Sequence, residues 1–427
     1  MKNVLGLMAF GAAAASAAWA NPIDQIRPDA PELSPYGPYA IGVSTLELVH
    51  TDQIDVPSME GADVLRNDRR LTVEVWYPAQ MPSNARGQYR TLMRDGITPI
   101  TLTGRATRDA APATGMRFPL VVISHGYPGN RFLMSPIAEN LASKGYVTVS
   151  IDHPYSTYAD QDTFGDTLLH RPLDQRFVID ALAQRTDPLG EIIDIDRVGV
   201  IGYSMGGYGA LVFGGAGVTE EATEFTWGVP NGLLAQHLAG SETHEALIDS
   251  RVQAIVAIGP WGRNAGLWDT AGMAGLRKPT LLIAGSSDDV SIYEAIRTLF
   301  DEAISVDRHL LTFENANHNA AAPMPAPREA WGPSETLDFS PFEHYADPVW
   351  DTVRMNNIAQ HFITAFFDLR LKDDAHKAQY LDLIPNAEDG VMALNADGSP
   401  SEDHSYWAGF PPRTARGLRF ESKHAGE

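Results

Sequence analysis

The pentapeptide Gly202-Tyr203-Ser204-Met205-Gly206 constrains this chain more than any other feature. It follows the apolar, partly β-branched run 198–201 and precedes a stretch of small and apolar residues, 207–213, that is typical of a helix packed on a sheet. A serine held on such a sharp strand-to-helix turn needs neighbours without Cβ atoms, and Gly202 and Gly206 provide them. The pattern predicts that Ser204 is a nucleophile whose hydroxyl stands above the end of a strand.

The rest of the chain alternates between strand-like and helix-like patterns. Buried strand patterns occupy 118–124, 146–151, 197–203, 252–258, 280–284 and 310–313. Helical patterns between and after them occupy 136–144, 173–183, 292–303 and 350–371. This alternation predicts the α/β class, with a mostly parallel central sheet and helices on both faces. Two earlier segments, 41–49 and 71–77, alternate with period 2 and predict antiparallel strands at the start of the sheet.

We expect residues 21–427 to form a single domain with two additions. The interval 218–250 is longer than a crossover helix requires, which favours a cap or lid insertion and a plain surface loop about equally. From residue 372 onward the chain is rich in turn-forming and acidic residues and ends in a possible last strand at 417–420. We interpret 372–427 as a C-terminal extension of the same domain.

The N-terminus predicts export. Residues 1–20 carry Lys2, an apolar stretch and the small-residue motif Ala18-Trp19-Ala20, which together indicate a signal peptide cleaved after Ala20. The apolar stretch is shorter than the roughly 20 residues that span a bilayer, so we expect no stable membrane anchor and a periplasmic or secreted protein. The chain has no cysteine, and its net charge of −22 argues against nucleic acid as a partner.

A serine hydroxyl needs a neighbouring base and an acid that orients it. Asp288 and Asp289 follow the strand pattern 280–284, and His318 lies in a loop of small residues after the pattern 310–313. The carboxyl ends of parallel strands gather at one edge of a sheet, where such side chains can meet. We therefore predict the order Ser204, Asp288, His318, with Asp289 as the alternative acid.

The tetrahedral intermediate of acyl transfer needs backbone donors for its oxyanion. Met205, directly after the serine, and Tyr127, in the loop that follows strand pattern 118–124, are the predicted donors. Trp261, His153 and Tyr155 each follow a strand end and are candidate pocket residues, although ordinary packing fits them equally well. No histidines have the spacing of a zinc-binding helix motif, so we predict no catalytic metal.

Three stretches resemble a known superfamily. They are 73–78, the region 124–153 with Ser124-His125-Gly126, and 200–207 around Ser204. These stretches are similar to the α/β-hydrolase superfamily, and within it to the dienelactone-hydrolase-like and type II platelet-activating-factor acetylhydrolase-like branch. The resemblance implies the α/β-hydrolase fold and a serine esterase without a cofactor, with Ser204, Asp288 and His318 at the motif positions. It departs from the dienelactone hydrolases proper, which use a cysteine.

The sequence thus predicts an exported serine carboxylic-ester hydrolase that forms an acyl-enzyme from an apolar or aromatic ester, small or polymeric. A phospholipase A2-like enzyme of the platelet-activating-factor acetylhydrolase type, or a hydrolase of polyester oligomers, would use the same residues. A serine peptidase or amidase is a further alternative. A non-catalytic binding protein of this fold is less consistent with the chain, because serine, acid and histidine all occur in order.

Overall fold

The structure is a computed structural model, and it describes residues 21–61, 63–80, 87–161 and 163–427. The signal peptide predicted at 1–20, with cleavage after Ala20, lies outside these residues. Among the described residues, no helix combines the length and the apolar character needed to cross a bilayer.

The strands in chain order are β1 (Asn21–Pro22), β2 (Ala40–Ile54), β3 (Arg66–Ala79), β4 (Gly87–Leu92), β5 (Pro99–Gly104), β6 (Thr107–Arg108), β7 (Phe118–Ser124), β8 (Val147–Asp152), β9 (Ile193–Tyr203), β10 (Val252–Ile258), β11 (Thr280–Gly285), β12 (Arg308–Phe313) and β13 (Leu418–Lys423).

The α-helices are α1 (Ser135–Ser143), α2 (Phe164–Ala183), α3 (Pro188–Glu191), α4 (Met205–Phe213), α5 (Glu220–Thr223), α6 (Glu242–Leu247), α7 (Thr270–Ala274), α8 (Tyr293–Glu302) and α9 (Thr352–Leu371).

Within the described ranges, the main sheet has the strand order β13-β12-β11-β10-β9-β7-β8-β3-β2-β6. The six strands from β12 to β8 run parallel, whereas β3 pairs antiparallel with both β8 and β2, and β13 pairs antiparallel with β12. One face of the sheet packs against α1 and α9, and the other packs against α2, α4 and α8. The predicted α/β architecture with helices on both faces is confirmed, and β9 lies near the centre of the sheet.

Helix α2 differs most from the sequence-based expectation. The pattern predicts a helix over 173–183, but the helix begins at Phe164 and continues through Pro172. A proline disfavours helical backbone in the residue before it and has no backbone N–H to donate. The helical pattern in the sequence therefore begins only after Pro172. The first turns are held instead by buried polar contacts of Asp166 and Arg171. This extra length brings several polar side chains beneath the loop after β7.

The chain after residue 372 packs against the main sheet and α9. The strand predicted at 417–420 is observed as β13, which pairs with β12 along the edge of the sheet. Trp407 is 1% exposed, its ring packs edge-on against Phe362 at 6.0 Å, and its indole nitrogen donates to the carbonyl of Ile384 at 2.8 Å. The segment therefore shares a core with the rest of the chain.

Replacing Trp407 with alanine should lower the free energy of unfolding by about 3–5 kcal/mol, because it opens a large cavity in this core. Urea denaturation of Trp407→Ala beside the native protein measures the loss. Trp331→Ala is the matched control, because that tryptophan is 70% exposed and its removal should cost less than about 0.5 kcal/mol. Equal effects of the two substitutions would show that the C-terminal segment contributes no shared core.

Candidate active site

Ser204 lies on a strained turn between β9 and α4. Its backbone has φ 53° and ψ −112°, a conformation that L-residues rarely adopt. A Cβ atom at Gly202 would lie 2.1 Å from the carbonyl oxygen of Gly206, and one at Gly206 would lie 1.9 Å from the carbonyl oxygen of Ser124. Neither position admits a side chain, so the two glycines are required by the close approach of three backbone segments.

An acid and a base meet at the carboxyl ends of β11 and β12. The Nδ1 atom of His318 lies 2.9 Å from Oδ2 of Asp288, whose side chain is fully buried. The other carboxylate oxygen accepts from the amides of Val290 and Ser291 at 2.9 and 2.8 Å. An ionised carboxylate only accepts, so Nδ1 of His318 donates and its Nε2 is left as an acceptor. Asp289 is exposed, and the structure pairs the histidine with Asp288.

Ser204 lies beside this pair. Its amide donates to the carbonyl of Ile258 at 2.9 Å, and a Cβ atom on the next residue, Gly259, would come within 3.3–3.4 Å of both His318 and Asp288. The ring of Tyr203 packs against the His318 ring with centroids 5.2 Å apart. The structure therefore brings the three predicted residues into one neighbourhood, and their catalytic roles stay a prediction.

The loop after β7 lies directly against the serine. A Cβ atom at Gly126 would contact the Tyr203 ring at 3.1 Å and the Cβ of Ser204 at 3.4 Å. Tyr127 follows Gly126, and its hydroxyl donates to the carbonyl of Gln161. Met205 is the first residue of α4, so its amide has no acceptor within the helix. Met205 is thus adjacent to Ser204 in the chain, Tyr127 follows the glycine that lies against it, and their roles as oxyanion donors stay a prediction.

A buried polar network supports this loop from below. The hydroxyl of Ser124 donates to Nε2 of His153 at 2.9 Å, and Nδ1 of His153 donates to Asp174 at 2.8 Å. The same carboxylate accepts two hydrogen bonds from Arg69, at 2.8 and 3.0 Å, and Arg69 also donates to Asp166. Ser124, His153 and Asp174 are thus linked in the same order as a catalytic triad, but their side chains are at most 1% exposed. A substrate carbonyl has no access to them, and we assign them a structural role.

Arg171, also 1% exposed, ties the loop backbone to α2. Its guanidinium donates to the carbonyls of His125 and Gly126, and to the hydroxyls of Ser124 and Ser156. A planar guanidinium has several donors in fixed directions, so one side chain can hold several acceptors in a set geometry. Arg171 therefore anchors the segment that carries Tyr127.

Burial governs the protonation of this network. It lowers the pKa of His153 to about 3, and the nearby Arg171 charge acts in the same direction. It also lowers the pKa of Arg171 to about 9. For Asp174, burial alone would raise the pKa, but Arg69 and His153 outweigh it and hold the pKa below its ordinary value. The folded protein thus keeps His153 neutral and Asp174 ionised.

Two of the candidate pocket residues need correction. His153 does not line an open pocket, because both ring nitrogens are engaged inside the network. Tyr155 lines a different cavity of about 240 Å³, together with Asp55, Arg69 and Asp160. Trp261 lies beside the site, where its amide donates to the carbonyl of Ser204 at 3.3 Å. Residues after a strand end share an edge of the sheet, but sequence does not tell which side chains turn inward.

Other residues near the site carry weaker sequence signals. Arg171 and Asp174 lie one helical turn apart on the buried face of α2. Two charged residues at this spacing were the only signal in the sequence that could have indicated the buried network. Phe164 and Trp227 reach the site only through the folding of distant segments. Among the residues that the structure describes, no three side chains of the His, Cys, Asp or Glu type are grouped so that they could hold a metal ion.

Part of the chain is similar in sequence to known proteins. Residues 100–219 match the PETase family model, described as PET hydrolase-like. This region contains the loop after β7 and the Ser204 turn, and it ends before Asp288 and His318. The curated protein "Cutinase est1" of Thermobifida alba is 25% identical over 211 residues, which cover 49% of this chain and 56% of that protein. The chain therefore aligns with little more than half the length of this relative.

The architecture has a counterpart among solved structures. A ferulic acid esterase from Streptomyces cinnamoneus superposes with a TM-score of 0.56 at 20% identity, covering 94% of this chain and 99% of that one. At this level of identity the likeness concerns the fold. The chain therefore has the α/β-hydrolase fold, and part of its sequence is similar to a PET hydrolase-like family and to a cutinase.

The burial of His153 opposes its protonation as the pH falls. His153 has a pKa near 6.5 when unfolded and about 3 when folded, so its contribution to stability is complete above pH 6.5 and declines as the pH falls toward 3. At pH 5 the loss of this contribution amounts to about 2 kcal/mol. We expect His153→Gln to be less stable than the native protein at pH 7, but to lose about 2 kcal/mol less between pH 7 and pH 5.

Urea denaturation at the two pH values measures both losses. His376→Gln is the matched control, because that histidine is exposed and should leave the native pH dependence unchanged. If His153→Gln loses as much stability as the native protein on acidification, the folded state does not hold His153 neutral.

Proposed function

We propose that this chain is an exported serine carboxylic-ester hydrolase that acts through Ser204, His318 and Asp288. The observation that carries the proposal is the hydrogen bond between His318 and the buried Asp288, formed beside a serine on a strained strand-to-helix turn. A serine, a base and an orienting acid in this arrangement are the requirements for nucleophilic acyl transfer. The matches to a PET hydrolase-like family model and to a cutinase support an ester as the substrate.

In the first half of the reaction, the Ser204 hydroxyl attacks the ester carbonyl carbon while Nε2 of His318 accepts its proton. Asp288 keeps the imidazole oriented through Nδ1 and stabilises the imidazolium that forms. His318 then donates that proton to the departing alkoxide. The products of this half are an alcohol and an acyl group bonded to Ser204.

The negative charge on the carbonyl oxygen requires donors that are already in position. Met205 follows the serine in the chain and Tyr127 follows Gly126, which lies against the serine, so their amides would supply these donors. The anchoring of the Tyr127 loop by Arg171 would keep its amide from reorganising during the reaction. In the second half, His318 activates a water molecule that hydrolyses the acyl-enzyme and regenerates Ser204.

The substrate would be apolar or aromatic. Tyr127 and Trp261 are partly exposed beside the serine, and their apolar surfaces suit an uncharged acyl group, whereas Met205 is 2% exposed. The PET hydrolase-like match favours a polyester or its oligomers as a second candidate substrate. The chemistry at Ser204 would be the same for a small ester.

We further propose that residues 1–20 direct export and that cleavage follows Ala20. The mature chain, 21–427, would act as one domain in the periplasm or the medium. The interval 218–250, which carries α5 and α6, would form a cap whose first part lies beside the site. Residues 372–427 would complete the domain.

Ser204→Ala should reduce kcat for p-nitrophenyl acetate by about 10⁴- to 10⁶-fold, because it removes the nucleophile. Stopped-flow release of nitrophenol measures both the burst of acyl-enzyme formation and the steady rate. We expect no burst in the variant. Comparable turnover in Ser204→Ala would refute the mechanism.

Asp288→Asn should reduce kcat by about 10⁴-fold, because the amide favours the wrong tautomer of His318. Asp289→Asn is the matched control, since that side chain is exposed and adjacent in sequence. Its kcat should stay close to the native value. A large loss in Asp289→Asn with little loss in Asp288→Asn would reverse the assignment of the acid.

A further inference from the structure

Five aromatic rings from four separate segments form a continuous surface beside Ser204. Tyr127 and Phe164 meet edge-to-face at 5.2 Å, Phe164 and Trp261 at 5.6 Å, and Trp227 and Trp261 at 6.2 Å. Trp227 also contacts Phe164 at 6.2 Å and stacks on Phe225 at 4.8 Å. We call these five residues the aromatic ridge.

The inner end of the ridge touches the proposed active site. Trp261 donates its amide to the carbonyl of Ser204, and Tyr127 follows Gly126, which lies against the Ser204 side chain. Phe164 contacts the rings of both Trp261 and Tyr127. The ridge therefore starts at the serine and extends outward to Phe225 and Trp227.

The outer end is too exposed to be ordinary core. The Trp227 residue is 46% exposed, whereas Trp268 and Tyr208, which pack together on the same side of the sheet, are at most 1% exposed. Burying a tryptophan ring stabilises a protein, so the half-exposed Trp227 contributes less to folding stability than a fully buried ring would. A contiguous exposed apolar surface that adjoins a reactive group is typical of a binding site.

The charge around the outer end limits what can bind. The segment 219–237, which carries Phe225 and Trp227, contains Glu220, Glu221 and Glu224 and no lysine or arginine. All three glutamates are exposed. An anionic group would be repelled here, and an uncharged aromatic ring would stack on Trp227 without an electrostatic penalty.

We propose that Trp227, with Phe225 and Phe164, forms an outer subsite that binds a second, uncharged aromatic ring of the substrate. The inference rests on the proposed function, since the subsite is defined by its position relative to Ser204. It narrows the substrate class to neutral esters that carry one ring next to the scissile bond and another ring farther along. The second ring would add affinity through stacking and would leave the chemistry at the serine as it is.

The test compares substrates that differ by one ring. On the acyl side, these are p-nitrophenyl benzoate and p-nitrophenyl 4-benzyloxybenzoate. On the alcohol side, they are phenyl acetate and 4-benzyloxyphenyl acetate. In the native enzyme, kcat/KM should favour the benzyloxy ester of one pair, which carries the additional ring, by about three- to ten-fold, mainly through a lower KM. Trp227→Ala should bring that ratio to about one, and Trp227→Phe should restore most of it.

Trp331→Ala is the matched control, because it removes an exposed tryptophan that packs on Phe342, outside the ridge. It should keep the native ratio. Thermal unfolding of each variant verifies that the fold is retained. A native enzyme that hydrolyses acetates but prefers neither benzyloxy ester would overturn the subsite and leave the proposed function standing. A ratio unchanged in Trp227→Ala would also overturn it, whereas failure of all the esters would refute the proposed function itself.

Discussion

The close approach of three backbone segments at the end of β9 is the constraint on which the site depends. The Ser204 turn can fold only because Gly202 faces the backbone of Gly206, and Gly206 faces the backbone of Ser124, with no room for a Cβ atom at either glycine. This contact stores backbone strain at the serine and presses the loop after β7 against it. One packing contact therefore positions both the proposed nucleophile and the loop that carries a proposed oxyanion donor.

Such strain persists only where the surroundings are rigid. The rigidity comes from buried charge on α2, where Arg171 holds the loop carbonyls and Asp174 joins His153 to Arg69. Leaving any of these groups buried without a partner would be costly, so the network favours one arrangement of the loop. The side of the site that faces solvent is made instead of aromatic rings, which can contact a substrate without directional hydrogen bonds. The loop after β7 is therefore held by buried charged groups on its inner side and bordered by aromatic rings on its outer side.

Much of the architecture follows from local patterns. Strands β7 and β10 begin and end where the apolar runs do, and α9 differs from its prediction by two residues at its start. The short strands β4 and β5 escaped prediction because they form a separate small sheet and lack a long apolar run. The first turns of α2 escaped it because Pro172 obscures the helical pattern. In both cases, contacts with distant segments outweigh local preference.

The amino-acid pattern alone carries the strand-to-helix turn at Ser204, the alternation that makes an α/β sheet, and the order of serine, acid and histidine. These features depend on steric rules and periodicities that act within a few residues. Folding alone selects Asp288 over Asp289 as the partner of His318, buries His153 beneath the loop, and brings Trp227 to Trp261. These outcomes depend on which side chains turn inward when distant segments pack, and a local sequence pattern does not determine the direction in which a side chain points.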